Sequence, residues 1–327
     1  MKPLVSILIP AYNAESWIAD TIQSVLAQTW PRKEIIIVDD GSTDGTLNIS
    51  RRFESSLLNI IQQENEGASR ARNRALRECQ GDYIQWLDAD DLLAPDKIER
   101  QLALAANQTA QDILYASAWG KFYYRPDKSH FQPTPLWRDL EALEWLILRL
   151  NNPWIMPPSA WLVSRWLSDK AGPWDERLTL NDDGEYFCRV VSRSTKVKFV
   201  SESRCYYRVG NLSSLSWSRS QNALESLCLS IDLETRHVLD RENSERTLRA
   251  CINRLNIGVS ILDIEAPRQA HILRQRIKEL GGKNVPIKTS RKFALAKGII
   301  GKRNTMLLKW VLTKTKSRIC SGLERWL

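Results

Sequence analysis

The fold of this chain is decided by a short apolar run, Glu34-Ile35-Ile36-Ile37-Val38, and by the turn after it, Asp39-Asp40-Gly41-Ser42-Thr43-Asp44-Gly45. The β-branched run predicts a strand buried on both faces, and the polar turn predicts entry into a helix near Thr46–Phe53. The same order occurs earlier, where the strand-like Val5–Ile9 precedes apolar residues at helical spacing. Strands that alternate with helices predict parallel pairing through right-handed crossovers, which is an α/β fold.

The alternation continues along the chain. We expect a strand near Asn59–Gln62, a helix from about Gly67 to Cys79, and a strand over Asp82–Leu87. Beyond about Ile98 the pattern is less regular. There we predict two strands, a helix and a longer helical region, over Ile113–Ser117, Phe122–Tyr124, Leu140–Leu150 and Arg219–Leu280.

Three polar turns follow predicted strands, at Pro10–Asn13, Asp39–Asp44 and Asp88–Asp91. Ligands of open α/β sheets bind beyond the carboxyl ends of the strands, so we expect one pocket to collect all three turns. The last turn crowds three carboxylates into four residues, an arrangement suited to a hard divalent ion such as Mg²⁺ or Mn²⁺. The alternative is an aspartate-rich turn or helix cap, the interpretation we give to Asp91 before the following helix.

Length and composition indicate a globular chain. Its 327 residues are 43% hydrophobic and 26% charged, which is sufficient for one large domain or for a domain of about 220 residues with an appendage. The six cysteines are scattered, and no pair has the spacing of a zinc or redox site, so we expect reduced thiols in a cytoplasmic protein. The apolar run near the start is too short for a signal peptide, and no window is apolar enough to span a membrane.

Charge is concentrated near the carboxyl end. The whole chain carries +9, whereas residues 281–327 alone carry twelve basic residues and one acidic residue, leaving the rest slightly acidic. Interleaved apolar residues, Trp310 among them, give this basic amphipathic tail the composition of an interfacial helix on the anionic inner face of the plasma membrane. A solvated basic face or a disordered tail is the alternative. We expect no nucleic-acid partner, because no recognised nucleic-acid-binding module accompanies the charge.

Four motifs occur in the order and spacing of a known family: Val5–Asn13, Ile36–Thr46, Asn65–Asn73 and Leu87–Asp91. Over roughly residues 3–210 the chain resembles the inverting family 2 glycosyltransferases. This resemblance implies the GT-A fold, a Rossmann-like, mostly parallel sheet flanked by helices, here with a helical C-terminal extension. It divides the chain into a catalytic domain over residues 1–218, a helical region over 219–280 and the basic tail over 281–327.

The resemblance implies donor contacts at the first two turns. The segment Pro10-Ala11-Tyr12-Asn13 would hold the base and ribose of a nucleotide diphosphate sugar, with an ordinary strand-ending turn as the alternative. An aspartate at the end of the second strand would accept the imide N–H of uracil. Both Asp39 and Asp40 are candidates, and we favour Asp40 as the one that points into the cleft.

The diphosphate and the cation are assigned by the same resemblance. Arg72 would clamp the diphosphate with its planar guanidinium, whereas Arg74 and Arg77 are interpreted as a solvated helix face. Asp88 would approach the ribose or the metal, and Asp90 would coordinate a divalent Mn²⁺ or Mg²⁺ ion.

An acidic pair, Asp182-Asp183, resembles the family's acceptor-side segment, whose second member is the catalytic base. Asp183 is therefore the predicted base, with Asp182 and Glu185 as runners-up and helix capping as the structural alternative. Later, Cys205–Asn211 resembles the segment in which many relatives read Tyr-Arg-x-His, but the histidine is missing here. Any role of that residue would pass to Asn211, Arg208 or water.

The reaction implied is inverting transfer of a sugar, from a donor that is UDP-linked, to a hydroxyl of a saccharide or lipid-linked acceptor. The chain would be a hexosyltransferase of cell-envelope or exopolysaccharide synthesis. The alternatives are a nucleotide-sugar-binding protein without catalysis, disfavoured by the presence of Asp183, and a nucleotidyltransferase. Pro10-Ala11-Tyr12-Asn13 lacks the glycine-rich basic loop of that second class.

Overall fold

A computed structural model describes residues 2–105, 111–210 and 218–285. These residues build one mixed sheet with helices packed on it. Its strands are β1 (Val5–Ala11), β2 (Lys33–Asp40), β3 (Leu58–Gln63), β4 (Tyr83–Trp86), β5 (Leu92–Leu93), β6 (Ile113–Phe122), β7 (His130–Phe131), β8 (Leu140–Glu141), β9 (Trp161–Ser164) and β10 (Lys196–Arg208). Its helices are α1 (Ile18–Leu26), α2 (Thr46–Arg51), α3 (Ala68–Glu78), α4 (Lys97–Ala105), α5 (Ala142–Asn151), α6 (Arg165–Ala171), α7 (Asp182–Arg193), α8 (Gln221–Arg241), α9 (Glu245–Leu262) and α10 (Pro267–Glu279).

The main path of the sheet runs β3-β2-β1-β4-β9-β6-β10-β5. The first four strands are parallel, as the alternation of strands and helices predicts. In the second half β9 is antiparallel to both β4 and β6, whereas β10 runs parallel to β6. The α/β architecture is therefore confirmed, with antiparallel pairing added in the second half of the sheet.

Burial explains the amino-terminal strands. β1 and β2 are almost wholly buried, because helices cover both faces of this part of the sheet. α1 turns Ile18, Ile22 and Val25 inward, and α3 packs through Ala71 and Ala75, whose small side chains allow close approach to the sheet. The carboxyl ends of β1, β2 and β4 consequently share one edge.

Two sequence-based expectations are wrong in detail. β6 is one continuous strand, not two, because its whole length pairs with the long β10. No helix begins directly after Asp91, because Leu92–Leu93 pair with β10 and Pro95 disfavours helical backbone at the residue before it. α4 begins only at Lys97, so Asp91 does not cap it.

The carboxyl-terminal helices α8, α9 and α10 form a second apolar cluster around Ile231, Leu255 and Leu273. A domain boundary near residue 218 stays a prediction. Among the described residues no helix is long and apolar enough to cross a membrane. Most of the predicted basic tail, residues 286–327, lies outside the described ranges, as does Asn211.

Candidate active site

A cavity of about 840 Å³ opens where the three polar turns meet. One wall is made by Pro10–Ala14 after β1, Asp40 at the end of β2, and Asp88–Asp90 after β4. The facing wall is made by Leu178–Gly184, which leads into α7, and by residues of α5 and α8. Of the predicted site residues that the structure describes, all but Asp39 and the runner-up Glu185 line this one cavity.

Arg72 connects the two walls. Its Nη1 donates to Oδ2 of Asp182 at 2.5 Å, and its Nη2 donates to Oδ1 of Asp88 at 3.0 Å. The guanidinium also lies over the ring of Trp174, 4.4 Å from its centroid. Burial lowers the pKa of Arg72, but Asp182 and Asp88 more than offset that effect, so the net pKa is raised and the group stays charged.

Asp183 lies beside this bridge at the start of α7. Its Oδ1 accepts a hydrogen bond from the backbone N–H of Gly184. Burial, followed by the neighbouring Asp182, raises the pKa of Asp183 to about 6, although Arg72 opposes the rise. A carboxylate poised near neutral pH and facing a cavity has the properties of a general base.

The two aspartates at the end of β2 have different surroundings. Asp40 lines the cavity, but its carboxylate already accepts hydrogen bonds from Gln63 Nε2 and from the backbone N–H groups of Glu66 and Gly67. Asp40 therefore fixes the loop before α3, where Gly67 has a positive φ. Asp39 is fully buried, and within the described residues its Oδ1 has no hydrogen-bond partner.

The turn after β1 supplies the outer rim of the cavity. Tyr12 is 50% exposed, which leaves one of its faces open for stacking. Asn13 adopts a left-handed backbone, and its Oδ1 accepts from the backbone N–H of Thr43 at 2.8 Å. The Asn13 amide thus joins the first and second turns, while Pro10 and Ala11 contribute their surfaces to the lining.

The acidic turn fits a hard cation. Burial, then Asp90 and Asp88, raise the pKa of Asp91 well above its usual value, which favours the neutral form of this carboxyl. No group of three acidic, histidine or cysteine side chains is preformed as a metal site in the described part of the chain. Mg²⁺ is often held by one or two carboxylates together with phosphate oxygens and water, so Asp88 and Asp90 fit an ion that arrives with a diphosphate.

Arg208 closes the back of the acidic turn. Its backbone N–H donates to Oδ1 of Asp91, and its Nε donates to the backbone oxygen of Asp90. Its guanidinium lies between Trp17 and Phe122, 4.4 Å from each ring centroid. Burial lowers the pKa of Arg208, although Asp90 and Asp20 favour its charged form.

The helical region holds the segment that carries Asp183. Ser226 of α8 accepts from the backbone N–H groups of Thr179 and Leu180 through its Oγ. Asn181, whose backbone is left-handed, donates from Nδ2 to Ser230 Oγ and to Glu234 Oε1, both at 2.9 Å. Residues of α8 therefore line the cavity and hold the segment that leads to Asp183.

Sequence reasoning missed Ser226, Glu234 and Arg149 as site residues. Arg149 lines the cavity from α5. A signal for it existed, because Arg149 falls at helical spacing from Ala142, Trp145 and Leu146, so that a cation occupies an otherwise apolar stripe. Ser226 and Glu234 gave no such signal, since their partners lie about fifty residues away in sequence.

Comparison with known proteins identifies relatives of this chain. The putative teichuronic acid biosynthesis glycosyltransferase TuaG of Bacillus subtilis is 49% identical over 104 residues, which cover 31% of this chain and 41% of the relative. The chain spans between 41% and 60% of the length of the first curated relatives that it matches.

Solved structures share the fold. TarS of S. aureus (residues 1–349), determined in complex with UDP-GlcNAc, superposes with a TM-score of 0.61 at 16% identity, covering 86% of this chain and 93% of that one. The mannosyltransferase PcManGT of Pyrobaculum calidifontis, determined with GDP-Man and Mn²⁺, gives 0.56 at 18% identity, covering 99% and 87%. The architecture described above is therefore the GT-A fold.

A family model also matches the amino-terminal half. It spans residues 6–168, from β1 through β4 and on into α6, and so includes the first three turns of the cavity together with Arg72. The match, the shared GT-A fold and the four motifs agree with one another. The chain belongs to glycosyl transferase family 2.

Proposed function

We propose that this chain transfers a sugar, with inversion at the anomeric carbon, from a nucleotide diphosphate sugar to a hydroxyl of a saccharide or lipid-linked acceptor. Asp183 carries the proposal, because its pKa of about 6 and its place on the cavity wall suit removal of the acceptor hydroxyl proton. The deprotonated oxygen then attacks the anomeric carbon in line with the departing diphosphate. One direct displacement inverts the configuration without a covalent sugar–enzyme intermediate.

The donor nucleotide is proposed to lie between Tyr12 and the end of β2. The open face of Tyr12 can stack on the base. Between the two aspartates we now favour Asp39 for the imide N–H of a uracil, because its buried Oδ1 has an unmet acceptor position whereas both oxygens of Asp40 are engaged by the protein. A UDP-linked donor is consistent with the UDP-GlcNAc bound by TarS.

The diphosphate is proposed to lie over Asp88, Asp90 and Arg72. A divalent cation bound by Asp88 and Asp90 would supply positive charge to the leaving diphosphate. Arg72 can contribute charge from its present position, because its guanidinium lines the cavity while it holds Asp88 and Asp182. Its direct contact with phosphate oxygens stays a prediction.

The biological setting is proposed from relatives and composition. TuaG is named for teichuronic acid biosynthesis, and a chondroitin synthase of Escherichia coli is 46% identical over 99 residues. Both names favour synthesis of a cell-envelope or extracellular polysaccharide. The basic composition of residues 281–327 favours a cytoplasmic enzyme held at the inner face of the plasma membrane.

A donor screen tests this proposal. The purified chain is incubated with Mn²⁺ or Mg²⁺ and single nucleotide sugars, and release of nucleoside diphosphate is measured with and without acceptor. We expect one donor to be turned over by the wild type and far more slowly by Asp183→Asn. Absence of turnover with every UDP-, GDP- and dTDP-sugar, despite tight binding of one of them, would favour the nucleotide-sugar-binding alternative.

A further inference from the structure

The lining of the cavity includes residues of α5 and of the loop after it, and we call this part of the cavity the α5 pocket. Its walls are mostly apolar and come from α5 and the loop after it: Trp145, Leu146, Leu150, Ile155 and Met156. The basic residue Arg149, also of α5, lines the same part of the cavity. A mostly apolar pocket with a charge at one point selects a ligand that is apolar along its length and charged at that point.

The guanidinium of Arg149 has no hydrogen bond and no ion pair with any described residue, whereas its backbone oxygen accepts from the N–H of Asn152. Among carboxylates, Glu234 has the largest electrostatic effect on the pKa of Arg149. Glu234 is already engaged, since Arg254 Nε lies 2.5 Å from its Oε2 and Asn181 donates to its Oε1. Two guanidinium groups therefore share one carboxylate, and the donors of Arg149 remain available to a ligand.

Arg149 lines the cavity together with the segment that carries Asp183. Burial lowers its pKa, Glu234 raises it, and Arg254 lowers it again, while Asp183 acts on it more weakly. The cations next to the proposed diphosphate position are Arg72 and Arg208, so the diphosphate does not require Arg149.

We propose that Arg149 binds an oxyanion, a carboxylate or a phosphate, carried by the acceptor next to an apolar portion of that acceptor. The planar guanidinium fork matches both anions with two parallel hydrogen bonds. Trp145 and Met156 pack beside the apolar portion. The inference rests on the proposed transferase function and narrows it, because the acceptor is then an anionic and not a neutral saccharide or lipid.

Binding of three matched probes tests the pocket independently of catalysis. The probes are octyl glucoside, which is neutral, octyl glucuronide, which adds a carboxylate, and octyl phosphate, which tests a phosphate on an alkyl chain. Calorimetry is run below the micelle concentration on wild type, Arg149→Gln, Arg149→Lys and Arg268→Gln. Arg268 is an exposed arginine of α10 and serves as the matched control for lost charge.

We expect the wild type to bind at least one anionic probe about 10- to 100-fold more tightly than octyl glucoside, the range for charge-assisted hydrogen bonds. Arg149→Gln should remove this preference while keeping the affinity for octyl glucoside, which shows that the pocket is intact. Arg149→Lys should retain part of it, and Arg268→Gln all of it. The anionic probe that binds more tightly identifies the charged group of the acceptor, either a sugar carboxylate or an alkyl-linked phosphate.

Two results would overturn the inference: equal affinity of the wild type for all three probes, including no binding of any, or an anion preference that survives in Arg149→Gln. Donor turnover distinguishes its failure from failure of the proposed function. If the wild type releases nucleoside diphosphate from a donor but shows no Arg149-dependent anion preference, only the inference fails. If the preference is present and no donor is turned over, only the transferase proposal fails.

Discussion

Arg72 Nη1 and Asp182 Oδ2 lie 2.5 Å apart, although the two residues are separated by 110 positions in sequence. The same guanidinium reaches Asp88 on the other side. One buried cation therefore ties the donor-side turn after β4 to the start of α7, where Asp183 lies. These hydrogen bonds fix the position of the turn after β4 relative to the start of α7. Substitutions of Asp182 and of the neighbouring Asp183 should therefore have different effects.

Asp183→Asn should leave the fold and donor binding intact and lower the turnover number by roughly 10²–10⁴, the usual effect of losing a general base. Asp182→Asn is the matched comparison, because it removes a carboxylate of the same helix turn that holds Arg72. We expect Asp182→Asn to lower the free energy of unfolding by about 1–3 kcal/mol while retaining more turnover than Asp183→Asn. Steady-state kinetics and thermal unfolding separate the two, and turnover of Asp183→Asn within a few-fold of wild type would exclude it as the base.

The pH dependence of transfer should follow the Asp183 carboxyl. Its pKa is raised to about 6, and a general base works only when deprotonated, so kcat/KM should be constant above about pH 6 and fall about tenfold per unit below it. In Asp182→Asn one of the groups that raise this pKa is gone, so the inflection should move to lower pH. A profile without an acidic limb, or an inflection that moves upward in Asp182→Asn, would contradict the assignment.

The substitutions Asp39→Asn and Asp40→Asn should have different effects, the first on UDP binding and the second on stability. Asp39 has a buried oxygen without a protein partner, so its substitution should weaken binding of UDP by about 10- to 100-fold with little change in thermal stability. Asp40 holds Gln63, Glu66 and Gly67, so Asp40→Asn should mainly lower the unfolding temperature. Calorimetry with UDP and thermal unfolding measure both, and the reverse pattern would restore Asp40 as the residue that contacts the base.

Asp90→Ala should weaken the metal-dependent part of nucleotide binding. The variant loses a carboxylate proposed to ligate the cation, whereas the backbone oxygen of Asp90 can still accept from Arg208. Titration of UDP with and without Mn²⁺ gives the stimulation by metal for each protein. We expect strong stimulation in wild type and little in the variant; equal stimulation in both would remove Asp90 from the proposed ligands.

The sequence predicted the features that depend on local order. The parallel strands, the three turns at one edge and the start of α7 at the acidic pair follow from short runs such as Ile35–Val38 and from turn chemistry. The broken β6 and the early helix after Asp91 were wrong because both depend on pairing with β10, more than eighty residues away. Local propensity carries no information on such a partner.

The same limit applies to the site. That Arg72 would be occupied by Asp88 and Asp182, and that Asp40 would be saturated while Asp39 is not, are consequences of tertiary contacts. The contribution of α8 through Ser226 and Glu234 likewise appears only when the helical region packs against residues 178–183. Motifs indicated which residues belong to the site but not how they share hydrogen bonds.

The last prediction concerns the basic tail, and the contacts of residues 283 and 285 determine where a truncation should be made. Asn256 of α9 accepts from the backbone N–H of Val285 and donates to the backbone oxygen of Lys283, so residues up to 285 are attached to the helical region. A truncation after Val285 therefore removes residues 286–327 of the tail and keeps these contacts with α9. Each basic residue near an anionic surface contributes on the order of 1 kcal/mol before screening, so loss of the segment should abolish binding to anionic liposomes at low salt.

Sedimentation with phosphatidylglycerol vesicles measures binding, and neutral phosphatidylcholine vesicles are the control. Donor turnover should be unchanged by the truncation. Equal sedimentation of the truncated and full-length proteins, or none by the full-length protein, would exclude the tail as a membrane anchor.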